Sequence, residues 1–363
     1  MPRLTGLSGN EMYCLHLKGM EAGDMVIGNS VYSLGLIGGL GASVKNVLGG
    51  EVAQITEVIR DGRQLSYNRM MAEAQKCRAS GVTGATSQLT HFHGNIEFLS
   101  VASCVHETGA QPPVHPFSTA SDGQEWYCQL DAGYAPLKFV FGNIAYSMGV
   151  AGGLIGGLKK MGRGEIKEYS DVFNQTRHVC LARIVDEAKA AGANSVVGIE
   201  TVVMEFEGLH EMLMMGTASH NPNLSAECTA NPVTSDLTCE EMWNVTAMGF
   251  VPMKLILGTA VYSLGIAGGV TSMIKSFSRG EINELTTLIY DAREHALGLI
   301  KAEAEAIGAD DVVGIRTHIW DLGGMLEFMC IGTAIKRQEG IATATAALPP
   351  QAIMTDKTTW FGR

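Results

Sequence analysis

Apolar residues recur at helical spacing near the C-terminal end of the chain: Ile282, Leu285, Leu288, Ile289, Ala292, Ala296, Leu299, Ile300 and Ile307. Glu281, Glu284, Asp291, Glu294, Lys301 and Glu305 fall largely between them. An apolar stripe beside a charged face predicts an amphipathic helix, and Gly308 fits its stop. Residues 311–318 and 326–335 then read as strands around a Gly323-Gly324 turn. The same helix is expected over 165–191 and 51–80. The unit is therefore a strand, a glycine-rich segment, a long helix and two strands.

That unit is written three times. Gly28-Asn-Ser-Val-Tyr-Ser-Leu-Gly35 recurs as Gly142-Asn-Ile-Ala-Tyr-Ser-Met-Gly149 and as Gly258-Thr-Ala-Val-Tyr-Ser-Leu-Gly265. The period is too long for a solenoid repeat and suits a small domain. Repeats are expected over 1–106, 125–220 and 241–336. Proline-bearing linkers at 107–124 and 221–240 separate them, and a tail runs over 337–363. Ala191-Gly-Ala-Asn-Ser-Val-Val-Gly-Ile199 matches Ile307-Gly-Ala-Asp-Asp-Val-Val-Gly-Ile315. Repeat 1 offers only Ser80-Gly-Val-Thr-Gly-Ala85 there, read as three residues shorter.

These motifs resemble the YbjQ-like family, which is labelled heavy-metal-binding. Gly164, Arg177, Gly192-Ala193, Val196-Val197-Gly198 and Gly216-Thr217-Ala218 carry the likeness in repeat 2. Gly280, Ala292-Arg293, Gly308-Ala309-Asp310, Val312-Val313-Gly314 and Gly332-Thr333-Ala334 carry it in repeat 3. Repeat 1 reads as divergent: Ser66 stands where the arginine belongs, Val-Val-Gly is missing, and Ala102-Ser-Cys104 replaces Gly-Thr-Ala. The resemblance implies an α+β fold of three tandem dodecin-like β-α-β-β domains. It also implies ring assembly, typically pentameric, and a transition metal as the possible cofactor.

Composition narrows the function. A chain of 363 residues that is 46% hydrophobic can build real cores. A formal net charge of −11 is a poor match to a nucleic-acid backbone. The 8 cysteines form no C-x-x-C pair, which favours free thiols in a reducing compartment. The N-terminus lacks an apolar signal core. A cytoplasmic location is the expectation.

Catalytic motifs are missing from the sequence. Gly152–Lys160 lacks the ending of a phosphate-binding loop, and there is no G-x-S-x-G elbow or H-E-x-x-H helix. No enzyme is expected. Glu97, Glu211 and Glu327 recur once per repeat at the start of the last strand, and read as solvated or intersubunit-bonded strand ends. His91 and His93 alternate along a strand and would share a face, as metal ligands do. With Gly94-Asn95 as the turn, His93 would face residue 96 and His91 residue 98. Cys104 and His106 would then lie near residues 85 and 83, away from both imidazoles.

The glycine-rich apolar segments 25–44, 139–158 and 255–274 each hold G-x-x-x-G, at Gly35/Gly39, Gly149/Gly153 and Gly265/Gly269. Such a motif lets two backbones approach closely. These six glycines, with Arg177 and Arg293, are the expected assembly interface, and membrane contact is the less favoured use. The leading expectation is a ring- or shell-forming homo-oligomer. A protein binding a metal or small ligand between subunits is the alternative, and a membrane-associated assembly the second alternative.

Overall fold

A computed structural model describes residues 2–33, 50–92, 95–147, 164–206, 209–263, 283–321 and 325–354. Repeat 1 contains α1 (Gly9–Leu17), β1 (Met20–Ser33), β2 (Gly50–Glu51), α2 (Ala53–Lys76), β3 (Gly81–Phe92) and β4 (Asn95–Glu107). After β5 (Phe117–Ser118), repeat 2 gives α3 (Gly123–Asp131), β6 (Ala135–Ser147), β7 (Gly164–Glu165), α4 (Lys167–Ala190), β8 (Ser195–Phe206) and β9 (Leu209–His220). Next come α5 (Glu227–Ala230) and β10 (Val233–Thr234). Repeat 3 has α6 (Cys239–Ala247), β11 (Phe250–Ser263), α7 (Asn283–Ala306), β12 (Asp311–Asp321) and β13 (Met325–Arg337), and α8 (Pro350–Ile353) lies in the tail.

The short helices α1, α3 and α6 add to the expected unit. Each starts on a capping box: Ser8 with Glu11, Asp122 with Glu125, and Thr238 with Glu241. Glu11, Glu125 and Glu241 hold matching places in the three repeats and are therefore capping residues.

Within each repeat the last strand lies between the other two, antiparallel to both. The long helix covers one face. The pairing of the second and last strands shifts register between Thr83/Thr86, Val197/Glu200 and Val313/Arg316. Each shift contains a glycine at positive φ: Gly84 at 65°, Gly198 at 61° and Gly314 at 66°. Bulges of this kind need a residue free of a Cβ.

Those bulges correct the reading of repeat 1. Gly84 occupies the place of Gly198 and Gly314, so Gly81-Val-Thr-Gly84 is the repeat-1 form of Ser195-Val-Val-Gly198, with no residue missing. The β3–β4 register also differs from expectation. Phe92 pairs with Asn95, His91 with Ile96 and Val82 with Cys104. At that end the register therefore differs by two residues from the expected pairing of His91 with residue 98.

The strands also run into neighbouring repeats. The ordering is β1-β4-β3-β5 in the first sheet, β10-β8-β9-β6-β2 in the second and β12-β13-β11-β7 in the third. Thus β2 of repeat 1 joins the sheet of repeat 2, and β7 of repeat 2 joins the sheet of repeat 3. The first halves of the apolar glycine-rich segments are strands β1, β6 and β11, not helices. In β6 and β11 a near-continuous apolar run is what two covered faces require. No helix among the described residues is long and apolar enough to cross a membrane. Gly35, Gly39, Gly149, Gly153, Gly265 and Gly269 lie outside the described residues.

Candidate functional site

The two junctions between repeats hold buried arginine–carboxylate pairs. At each, the long helix of the earlier repeat, α2 or α4, is clamped between its own sheet and the sheet of the next repeat. Ile55 and Ile59 of α2 are buried with Ile96 and Phe98 of their own repeat and with Ala145 and Leu209 of repeat 2. One turn further along the same face, Arg63 is wholly buried. Its Nε and Nη2 donate to Glu211 Oε1 and Oε2 at 3.2 and 2.8 Å. Its Nη1 donates to the Ser87 carbonyl and hydroxyl at 3.0 and 3.1 Å.

The second junction repeats the first. Phe173 and Arg177 take the places of Ile59 and Arg63. Arg177 Nη2 donates to Glu327 Oε1 and Oε2 at 2.7 and 3.0 Å, and to the Tyr146 hydroxyl at 2.7 Å. The guanidinium also lies 4.6 Å from the Tyr146 ring centroid, with the Phe173 and Trp320 rings beyond. Burial pushes the Glu327 carboxyl above its usual range, while the Arg177 charge pulls it back. Burial works against the Arg177 charge, but Glu327 overrides it and holds the guanidinium protonated.

Backbone bonds fix both junctions. Val52 N–H donates to the Ala145 carbonyl at 2.8 Å, and Ala145 N–H donates to Thr56 Oγ1 at 2.9 Å. Ile166 N–H donates to the Val261 carbonyl at 2.8 Å, and Val261 N–H donates to Ser170 Oγ at 2.9 Å. Arg63 uses all three nitrogens, whereas Arg177 Nη1 finds no hydrogen-bond partner among the described residues. A buried ion pair of this kind specifies one register rather than adding much stability.

Two expectations are corrected here. Arg63, not Ser66, is the repeat-1 counterpart of Arg177; Ser66 lies three residues further along α2 and bonds Ser100 Oγ and the Arg63 carbonyl. Glu211 and Glu327 are buried ion-pair partners rather than solvated strand ends. Sequence reasoning treated the arginine and the carboxylate separately because they pair across repeats, 148 and 150 residues apart. The signal was available: Arg63 and Glu211, like Arg177 and Glu327, keep matching positions in the period. Arg293 is exposed on α7.

The metal reading finds no support in these residues. His91 is exposed on β3 and paired with Ile96; His93 lies outside the described residues. Among the described residues no three His, Cys, Asp or Glu side chains gather as a metal would need. Burial pushes the thiols of Cys14 and Cys330 up to about 11, and those of Cys104 and Cys180 up to about 12, which keeps these potential soft ligands protonated. The described residues do not fit a bound heavy metal.

A family model described as "Putative heavy-metal-binding", of the YbjQ type, matches residues 16–105, 134–221 and 249–338. The encapsulin nanocompartment protein Rv1762c of Mycobacterium tuberculosis is 32% identical over 228 residues, spanning 59% of this chain and 84% of that protein. A UPF0145 protein of Methanococcus maripaludis is 35% identical over 90 residues, 24% of this chain and 80% of that one. One from Thermoplasma acidophilum is 37% identical over 81 residues, 22% of this chain and 68% of its own length.

Proposed function

The chain belongs to the YbjQ-like family, three tandem copies of whose unit it carries, and from that premise we propose a structural role: self-assembly into a ring- or shell-forming homo-oligomer in the cytoplasm, without catalysis. The observation that carries this reading is the junction itself. The chain makes the same sheet–helix–sheet contact twice in series, each time with a buried arginine–carboxylate pair. A contact that joins one unit to the next in a constant sense builds an array, which closes when the rotation per step allows it. The name of the mycobacterial relative, an encapsulin nanocompartment protein, supports the same reading.

Light scattering and native mass measurement at micromolar concentration test it. The expected result is a discrete species at a multiple of the 38.7 kDa chain. Five-fold symmetry is the finer, family-based expectation, checked by particle images. A single-chain mass would overturn the assembly reading.

A further inference from the structure

The series of junctions leaves two halves over. Repeat 1 has the surface that receives a helix, and among the described residues no helix is seated on it. Repeat 3 has the helix that would be received, and among the described residues no sheet receives it. We propose that these halves meet between copies: α7 and the β12 edge of one chain dock on β1, Glu97 and the N-terminal segment of a second copy, head to tail. The proposal rests on the assembly reading above and names the surface through which assembly occurs.

Exposure marks both halves. On the receiving side, Val31 is 53% exposed, whereas its counterparts Ala145 and Val261 are both at 0%. Ile27 is 45% exposed, whereas Phe141 and Leu257 are buried. Asn29 is exposed, whereas Asn143 and Thr259 are buried. These alternate positions face one side of β1, as strand geometry requires. Moreover, β1 has no strand on its outer side among the described residues, where β6 has β2 and β11 has β7. Glu97, the counterpart of buried Glu211 and Glu327, is partly exposed and held by Asn29 Nδ2 at 3.1 Å.

On the donating side, Leu285, Ile289 and Arg293 form one row of α7, matching Ile55, Ile59 and Arg63 of α2. The α2 row is wholly buried; in α7 the apolar pair is half-buried and Arg293 exposed. Tyr290 beside them is 60% exposed. Arg293 has no carboxylate within ion-pair distance among the described residues. One half thus presents an exposed cation and the other a partly exposed anion, on surfaces whose apolar surroundings repeat an interface already made twice.

The N-terminus gives an independent second contact of the same sense. The strands β5 and β10 pair in parallel with β3 and β8 of the preceding repeat, Phe117 with Gly81 and Val233 with Ser195. Ser118 and Thr234 then accept from Phe139 N–H and Leu255 N–H of the following repeat, each at 2.8 Å. In repeat 1 that place is taken by Leu4, whose carbonyl accepts from Met25 N–H at 2.6 Å. Arg3 and Leu4 therefore stand where a linking strand stands, with no strand paired to them on the outer side among the described residues. The β12 edge is the matching vacancy: Ile315 is 46% exposed, whereas its counterparts Ala85 and Ile199 are both at 3%. Charge agrees here too, since Arg3 would lie opposite Asp311 in the register of the other two junctions.

Charge reversal tests the contact in the full chain. Glu97→Arg and Arg293→Glu touch exposed or half-exposed side chains, so each variant should keep the wild-type circular dichroism and melt. Each should raise the concentration needed for assembly about tenfold or more, because like charges would meet in a desolvated contact. The double variant, Glu97→Arg with Arg293→Glu, should restore assembly by exchanging the partners. An assembled wild type with both single variants unaffected would overturn this contact while leaving the assembly reading intact. Single variants that dissociate without rescue by the double would also overturn the pairing. A wild type found as single chains would overturn both.

Discussion

Arg177 and Glu327 are both sealed from water, and at that depth each depends on the other. Removing one partner strands a buried charge, which typically costs about 3–5 kcal/mol; replacing both by apolar groups is often neutral. Arg177→Met is therefore expected to lower the urea midpoint strongly, and Arg177→Met with Glu327→Leu to recover most of the loss. Burial drives a different response near the α3 cap. It pushes the Asp122 carboxyl up to about 6 and that of Glu125 up to about 8, each raised further by neighbouring carboxylates. Raised carboxyl values mean the folded state holds its protons more tightly than the unfolded one. The associated stability is full below the ordinary carboxylate range and lost as pH rises through about 6 and then 8. The melting temperature should fall across that window. Glu125→Gln keeps an acceptor for the Asp122 N–H and should flatten the fall, read by calorimetry at several pH values.

At the level of elements, the helix and the first strand of each unit touch through glycine. A Cβ on Gly142 would stand 2.5 Å from the Cys180 carbonyl and 2.7 Å from the Ile184 amide, both backbone atoms. Gly28 and Gly258 face α2 and α7 in the same way, so the first glycine of the recurring string is a contact glycine. Gly142→Ala should force α4 off β6, costing roughly 1–3 kcal/mol or more by overpacking. Thermal melts of the full chain would show it. Gly298, on the open side of α7 with nothing within 4 Å, is the control: Gly298→Ala should be neutral or stabilising through helix propensity.

For the whole molecule, position in the series decides what each repeat exposes. Repeats 1 and 2 donate an arginine to a following carboxylate, and repeat 3 does not. Repeat 3 thus differs from the others in its arginine, and repeat 1 in its carboxylate and its exposed β1 face. In the head-to-tail contact, Ile315→Lys should leave the single chain folded, since its side chain already meets solvent, yet shift the oligomer toward single chains in size-exclusion runs. A variant that elutes unchanged would place the β12 edge outside the assembly.

Periodicity alone determined the three-fold repetition, the long helices and the strand pairs, because amphipathic spacing is local and the same pattern recurs in each unit. The YbjQ-like kinship was equally legible, from glycines and arginines at matching positions. Tertiary structure decided the rest. Ser66 and Arg63 both lie near the middle of α2, and only packing against repeat 2 shows which of them points at Glu211. The alignment of repeat 1 with the others turned on a bulge at Gly84, which spacing does not reveal when the motif around it has changed. An apolar run such as Phe139–Ser147 reads alike whether lipid, a subunit or a neighbouring sheet covers it. Covering is a property of partners distant in the chain, and here those partners sit one whole repeat away.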